Sequence, residues 1–185
     1  MNRTREITIR GHYEQVWQSK PTIIKWNRGP IQDLPVEFSI LRFKPNRKRK
    51  MWTYATCCMS QYFDVQPIEL HLFSMNEDED LIELLTSVVH YHRTGSSLNL
   101  GHSINFGRPW LPFSKCSYGL ISLPYLDGPN LEWTRFGDEA VRFLWLIPVT
   151  SEEIEYKKSH GLEALEEKLE ESGFHYADPL RKSVV

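Results

Sequence analysis

The sequence predicts a single α+β domain, built as a central, mostly antiparallel or mixed sheet with helices packed on it. Three observations carry that prediction. Strand-like stretches come first, one strongly amphipathic helical stretch interrupts them, and helices follow the last strand, an order unlike the βαβ alternation of a doubly wound sheet. The stretch Val141 to Val149 has almost no polar residue besides Arg142, the composition of a strand covered on both faces. A chain of 185 residues, 41% of them apolar, suits one domain spanning 1–185 that removes about 70% of its unfolded surface from water.

Taken in order, Ile7 to Trp17 is ambiguous between a short helix and irregular structure, because Gly11 weakens a helix. Thr22 to Trp26 is a short β-rich run closed by the turn Asn27-Arg28-Gly29-Pro30. Val36, Phe38 and Ile40 alternate with Glu37, Ser39 and Leu41, the period of a strand with one buried face. The basic run Pro45 to Lys50 then connects it as a hairpin to a strand within Met51 to Ser60. Ile68, Leu70 and Leu72 alternate with Glu69 and His71, which predicts another strand with one buried face and those two polar residues turned outward.

Asn76-Glu77-Asp78-Glu79 offers a capping oxygen and an acidic first turn, both favourable where backbone N–H groups are unpaired. Leu81, Leu84, Leu85, Val88 and Val89 follow at helical spacing and stop near Gly95, predicting a helix from about 78 to 93. Leu98 to Trp110 is loop-like with a short strand at Ser103 to Phe106, and Tyr118 to Leu123 is a second short strand. Tyr125 to Asn130 is a turn cluster, with the loop continuing to Glu139. Val141 to Val149 is the central strand, ended by Pro148, which has no N–H to give a ladder. Thr150-x-x-Glu153 is a capping box, and Leu162, Leu165 and Leu169 stripe a last helix that Gly173 ends.

No stretch approaches the roughly 18 apolar residues of a membrane span, and the start lacks the apolar region of a signal peptide, so the expected compartment is the cytoplasm. Three cysteines, Cys57, Cys58 and Cys116, cannot make a paired disulfide framework, and no C-x-x-C is present, so they are expected to be reduced core residues. Charge is uneven. Arg42, Lys44, Arg47, Lys48, Arg49 and Lys50 place six positives in nine positions, and with that loop set aside a net charge of −2 becomes −8. A hairpin tip is where solvated lysines belong, and the acidic remainder would repel phosphates, so direct nucleic-acid binding is not expected.

Candidate chemistry is sparse. His90, His92 and His102 invite a zinc site, yet positions two apart on a helix lie on different faces, and histidines at a helix C-terminus are favoured by its dipole. The cysteines sit in no recognisable nucleophile context. Glu152, Glu153, Glu155, Glu163, Glu166, Glu167, Glu170 and Glu171 have the pattern of a solvated helix face. Trp133 and Phe136, in a stretch rich in turn residues, have the character of interface anchors.

Several segments in order, Trp52-Thr53-Tyr54-Ala55-Thr56 with Met59-Ser60, Leu81 to His92, Gly101-His102-Ser103-Ile104 with Pro109-Trp110, Leu120 to Leu126, and all of Phe143 to Val185, resemble the suppressor of fused domain family in its compact bacterial form. The resemblance covers residues 50 to 185. It implies an α+β domain that holds another protein and needs no cofactor. Animal members clasp a short peptide of a transcription factor as an added strand, using a tyrosine and an acidic residue that align with Tyr91 and with Gly101. The tyrosine is kept and the acid is absent, which implies a different partner here. Bacterial single-domain members resemble immunity proteins that silence a co-encoded toxin.

The resulting expectation is a protein-binding domain, an immunity protein that occludes its toxin, with partner contacts at Tyr91, Gly101, His102, Trp110, Trp133, Phe136, Glu152 and Glu155. Were the toxin a nuclease, the acidic stretches Glu77 to Asp80 and Glu152 to Glu171 would steer onto its basic site. The alternatives are a metal-dependent hydrolase around His90, His92 and His102, and a regulatory scaffold that sequesters a non-toxin protein.

Overall fold

The computed structural model describes residues 2–185, and the fold is α+β around one open mixed sheet of eight strands. The chain runs α1 (Asn2–Trp17), β1 (Thr22–Ile24), β2 (Ser39–Phe43), β3 (Trp52–Cys57), β4 (Ile68–Ser74), α2 (Asp80–Thr94), β5 (Ser103–Asn105), β6 (Tyr118–Ser122), α3 (Pro129–Glu132), β7 (Trp133–Phe136), β8 (Glu139–Val149), α4 (Ser151–His160) and α5 (Leu162–Glu171). Strand order is β1-β2-β3-β4-β8-β6-β5, with β7 also paired to β8. Every pairing is antiparallel except β4 with β8, which is parallel from Ile68 opposite Arg142 to His71 opposite Trp145.

The sheet is the middle of three layers. On one face α2 lays Leu81, Leu85, Val88 and Val89 over Ile40, Tyr54, Leu70, Leu72, Leu144 and Leu146. The opposite face is shared: α1 covers Leu41, Phe43, Ala55 and Phe143, while α4, α5 and the C-terminal segment cover Phe73, Leu120, Trp145 and Ile147. β8 is therefore buried on both faces, as its composition requires.

α1 is longer than its sequence suggested. Ile9, Tyr13 and Trp17, four apart, make one buried stripe, while Gly11 faces out with open space around it and costs helix propensity only. This second cover corrects the one-faced reading of β4, since all seven of its residues are buried, Glu69 and His71 included. β2 also differs: Val36 is 85% exposed and the strand begins at Ser39, with both faces inside.

The stretch expected to be loop up to Glu139 holds instead a short helix and a hairpin. β7 pairs with β8 from Trp133 opposite Arg142 to Phe136 opposite Glu139, leaving the two-residue turn Gly137-Asp138. Gly137 takes the positive φ of 59° that such turns demand. Nor does Pro148 end the β8 ladder, which runs on to Val149 opposite Tyr118. β4 leaves β8 after Trp145, so on that side no ladder remains for the proline to interrupt. Opposite Pro148, Gly119 is required by close approach: a Cβ there would lie 2.6 Å from Leu146 and from Phe106.

Candidate functional site

The side chains with catalytic potential are committed elsewhere. Cys57, Cys58 and Cys116 are free and buried; a hydrogen bond with Cys58 and then burial push the Cys57 thiol up, and burial does the same to Cys116. Neither is a ready thiolate. His90 Nε2 lies 3.1 Å from an Asp33 carboxylate oxygen, whereas His92 is buried and its Nδ1 accepts from the Leu98 N–H at 2.9 Å. Burial and then Arg93 hold His92 below the usual imidazole range. His102 is exposed on another segment, and among the described residues no group of three or more His, Cys, Asp or Glu is placed to hold a metal.

The residues expected to touch a partner are scattered. Trp110 is fully buried, its backbone N–H bonded to the Cys116 carbonyl at 2.9 Å, and has no surface to offer. Gly101 has a positive φ of 78°, and its carbonyl accepts from Lys157 of α4, so it braces β5 against the C-terminal helices. Glu152 and Glu155 lie exposed on α4, Glu155 paired with Lys158 at 2.7 Å. Tyr91 is exposed at the end of α2. Trp133 is 49% exposed with the Arg142 guanidinium 5.1 Å from its ring, and the side chain of Phe136 lies outside the described residues.

The basic loop is only partly a solvated tip. Arg42 reaches Glu77 at 2.9 Å and Glu79 at 2.5 Å, which neutralises part of the first acidic stretch, and Arg49 pairs with Asp127 and lies 5.1 Å from the rings of Trp17 and Phe73.

One group of residues escaped the sequence reading. The β3–β4 loop carries Phe63 at 92% exposure and Val65 at 98%, yet its backbone is tightly held. Asp64 accepts the Gln61 N–H at 2.7 Å, and both its carboxylate oxygens take Arg93 Nη1 of α2 at 2.8 Å. Asn99 and Gln66 join the loop to the α2–β5 connection, and Pro67 accepts the Arg142 N–H. Beneath it, the buried carboxylate of Glu69 takes four donors: the hydroxyls of Thr56 and Ser60, both at 2.6 Å, and the N–H groups of Met59 and Ser60. Burial raises the Glu69 pKa, against those hydrogen bonds, and the fold keeps the group to fix the exit of β3, where Cys58 adopts a left-handed φ of 64°.

Val65 and Trp133 line one shallow hollow of about 150 Å³ with Pro67, Ile68 and Arg142. Trp133 and Arg142 lie opposite each other in the ladder, on the side of the sheet that α2 covers, because Val141 and Phe143 face α1. Val65 and Trp133 therefore meet at one end of the α2 layer, and Phe63 stands two residues from Val65 on the same held loop. Folding gains little from Phe63 and Val65, left this exposed. Exposed apolar residues on a held backbone have the character of interface anchors. Trp133 was already a candidate, whereas the signal of Phe63 and Val65 was apolar residues without a period, in Gln61-Tyr62-Phe63-Asp64-Val65-Gln66.

Comparison with known proteins places the whole chain. The family profile of the suppressor of fused protein (SUFU) matches residues 35–182, reaching further back than the segments that resembled it. A crystal structure of a suppressor of fused homolog from Neisseria gonorrhoeae matches with a TM-score of 0.85 and 30% identity, over 98% of this chain and 97% of that one. The Sufu–Fu complex structure matches at a TM-score of 0.73 and 16% identity, over 97% of this chain and 92% of that one. Drosophila Suppressor of Fused gives 0.66 and 17%, with 96% of this chain spanning half of that one. At those identities the last two share the fold. No curated protein matches the sequence.

Proposed function

The chain belongs to the suppressor of fused family, and from that premise we propose that it is a protein-binding domain acting as an immunity protein, which inactivates a co-encoded toxin by occluding its site. The observation that carries a binding role is the exposed apolar pair Phe63 and Val65 on a tightly held loop, with Val65 meeting half-exposed Trp133 at the end of the α2 layer. A held backbone means that docking orders few additional side chains, so more of the contact energy appears as affinity. Support for a protein partner also comes from the Sufu–Fu complex, in which a relative of the same fold is solved together with Fu. The full-length match to a bacterial homolog supports the compact bacterial form over the longer animal one.

Occlusion rather than catalysis suits the commitments of the polar groups, with the Cys57 and Cys116 thiols pushed up and His90 and His92 bonded to different neighbours. A cytoplasmic site of action fits a chain in which no described helix is long and apolar enough to cross a membrane.

The test is to express the product of the adjacent open reading frame with and without this chain. The expected result is co-purification and relief of toxicity, both lost in a Phe63→Ser/Val65→Ser/Trp133→Ala variant that keeps its fold. A wild-type chain that neither binds nor neutralises that product refutes the immunity role. Binding without any toxicity to relieve would point to a sequestering scaffold instead.

A further inference from the structure

On the face of the sheet opposite the apolar cluster, the cover is incomplete. Between α5 and the segment that follows β6 runs a groove of about 670 Å³, in the range of a site for a drug-sized ligand or a few side chains. Its floor is Trp145 and Ile147 of β8, and Phe174 and Tyr176 of the C-terminal segment stand beside them. The rings of Trp145, Phe174 and Tyr176 pack on one another with centroids 5.2 to 6.3 Å apart, so the aromatic wall is built rather than incidental. Tyr125 and Leu126, 56% and 45% exposed, form the opposite lip.

The remaining wall is acidic. Glu163, Glu166, Glu167 and Glu170 line the groove from α5 at the spacing of one helix face. Glu166 is engaged, accepting the hydroxyls of Ser122 at 2.5 Å and Tyr125 at 3.1 Å. Glu163, Glu167 and Glu170 are exposed and make no ion pair among the described residues, whereas Glu155 and Glu171 on the outer surface each have a lysine. Like charges four apart, as in Glu163 with Glu167 and Glu166 with Glu170, weaken a helix. The negative field reaches into the groove: burial, then Glu166, then Glu170 and Glu163 push the Tyr125 hydroxyl up to about 12. Arg49, which acts on Tyr176, is already bound to Asp127.

We propose that this groove docks a cationic segment of a partner polypeptide, in which arginine or lysine alternates with apolar residues. The apolar side chains and the methylene stems of the basic ones pack against Trp145, Phe174 and Tyr176. The cationic heads reach Glu163, Glu167 and Glu170 and stack on ring faces, an arrangement that suits arginine in particular. A purely apolar segment would leave the carboxylates unpaired, and an acidic one would be repelled. The proposal rests on the protein-binding reading but uses the other face of the sheet.

The probe is a blocked octapeptide of alternating leucine and arginine, titrated into the ¹⁵N-labelled full chain and followed by NMR and calorimetry. Saturable binding is expected, with shifts at Trp145, Phe174, Tyr176 and α5 and an affinity that falls as salt rises. Analogues with glutamine for arginine, or glycine for leucine, should bind at least tenfold more weakly. Glu163→Gln/Glu167→Gln/Glu170→Gln, confined to exposed positions, should lower affinity at least tenfold with an unchanged far-UV spectrum. Leu126→Arg, which places the chain's own cation at the lip, should block the groove. Shifts confined to exposed glutamates, or equal affinity for the glycine-arginine peptide, mean surface ion pairing and overturn the proposal, as does absence of binding. Failure here leaves toxin neutralisation by the opposite face untouched, and failure of neutralisation leaves this titration unchanged.

Discussion

Replacing Arg181 by methionine should unfold this protein far more readily than its place near the C-terminus suggests. Arg181 is 7% exposed and Glu153 fully buried, and the two form a double ion pair, Nη1 to Oε1 and Nη2 to Oε2, each 2.7 Å. Arg181 also donates to the Pro148 and Lys182 carbonyls, while Glu153 accepts the N–H groups of Thr150 and Val184. One contact set thus ties the end of β8, the start of α4 and the C-terminal segment together. Arg181→Met fills much of the volume but leaves a buried carboxylate with only two backbone N–H partners. Removing one partner of such a pair costs about 3–5 kcal/mol. For a chain of this length that is about 6–20 °C in Tm. Urea denaturation followed by tryptophan fluorescence measures it, with an unchanged slope showing that the same structure is lost. Because the cost is the orphaned charge, Glu153→Gln/Arg181→Met should be more stable than Arg181→Met alone, the glutamine oxygen still capping Thr150. A loss under 1 kcal/mol for the single variant, or a double variant costing the sum of the two singles, refutes this account.

Glu69→Gln should cost about 2–6 kcal/mol, because its amide N–H₂ would face donors that now point at a carboxylate, two of them left unmade at about 1–3 kcal/mol each; a loss under 1 kcal/mol in urea would contradict the four-donor role. His71 is fully buried, with neither ring nitrogen hydrogen-bonded among the described residues, and burial followed by Arg49 lowers its pKa to about 3. Its folded pKa lies below the unfolded value of 6.5, so the unfolded chain binds more protons between them and stability falls as pH drops through that window. At pH 5 the loss is about 2 kcal/mol from 1.36 kcal/mol per unit. His71→Leu should remove that part of the acid sensitivity, and parallel stability-pH curves for the two proteins would rule it out. Phe63→Ser and Val65→Ser should leave stability within about 0.5 kcal/mol, as expected for solvated positions; a larger loss by thermal melt would mean these side chains serve folding rather than binding.

The parts legible from sequence were those where one periodicity had one cause. α2 announced itself through Leu81, Leu84, Leu85, Val88 and Val89, and β8 through an unbroken apolar run, since both bury against the sheet without polar interruption. The Thr150–Glu153 capping box formed as written. What misled was a second cover. A polar residue alternating with apolar ones reads as outward, and only the presence of α1 turns Glu69 and His71 into core. That helix was itself obscured by Gly11. β7 was hidden for a different reason: Gly137-Asp138 is a hairpin turn, but the turn signals before it suggested that the loop continued. Trp110 shows the same limit on the site, since a tryptophan among loop residues gives no sign of whether tertiary structure will bury it.

These failures share a logic that bears on where function sits. The two carboxylates drawn deepest into the fold, Glu69 and Glu153, are satisfied by donors from their own chain and serve to hold shape. The groups without an internal purpose lie outside: Phe63 and Val65 on their held loop, with Val65 meeting Trp133 at one end of the α2 layer, and Glu163, Glu167 and Glu170 beside an aromatic groove on the other face. The C-terminal stretch that most strongly marks the family contributes to both classes. Glu153 and Arg181 are scaffold, whereas ten residues further along from Glu153 the same acidic composition turns outward with no lysine to meet it. Composition cannot separate those two uses of glutamate. The difference is whether the helix turn that carries each one faces the Pro148 carbonyl end of β8 or the gap beside it, and only packing decides that.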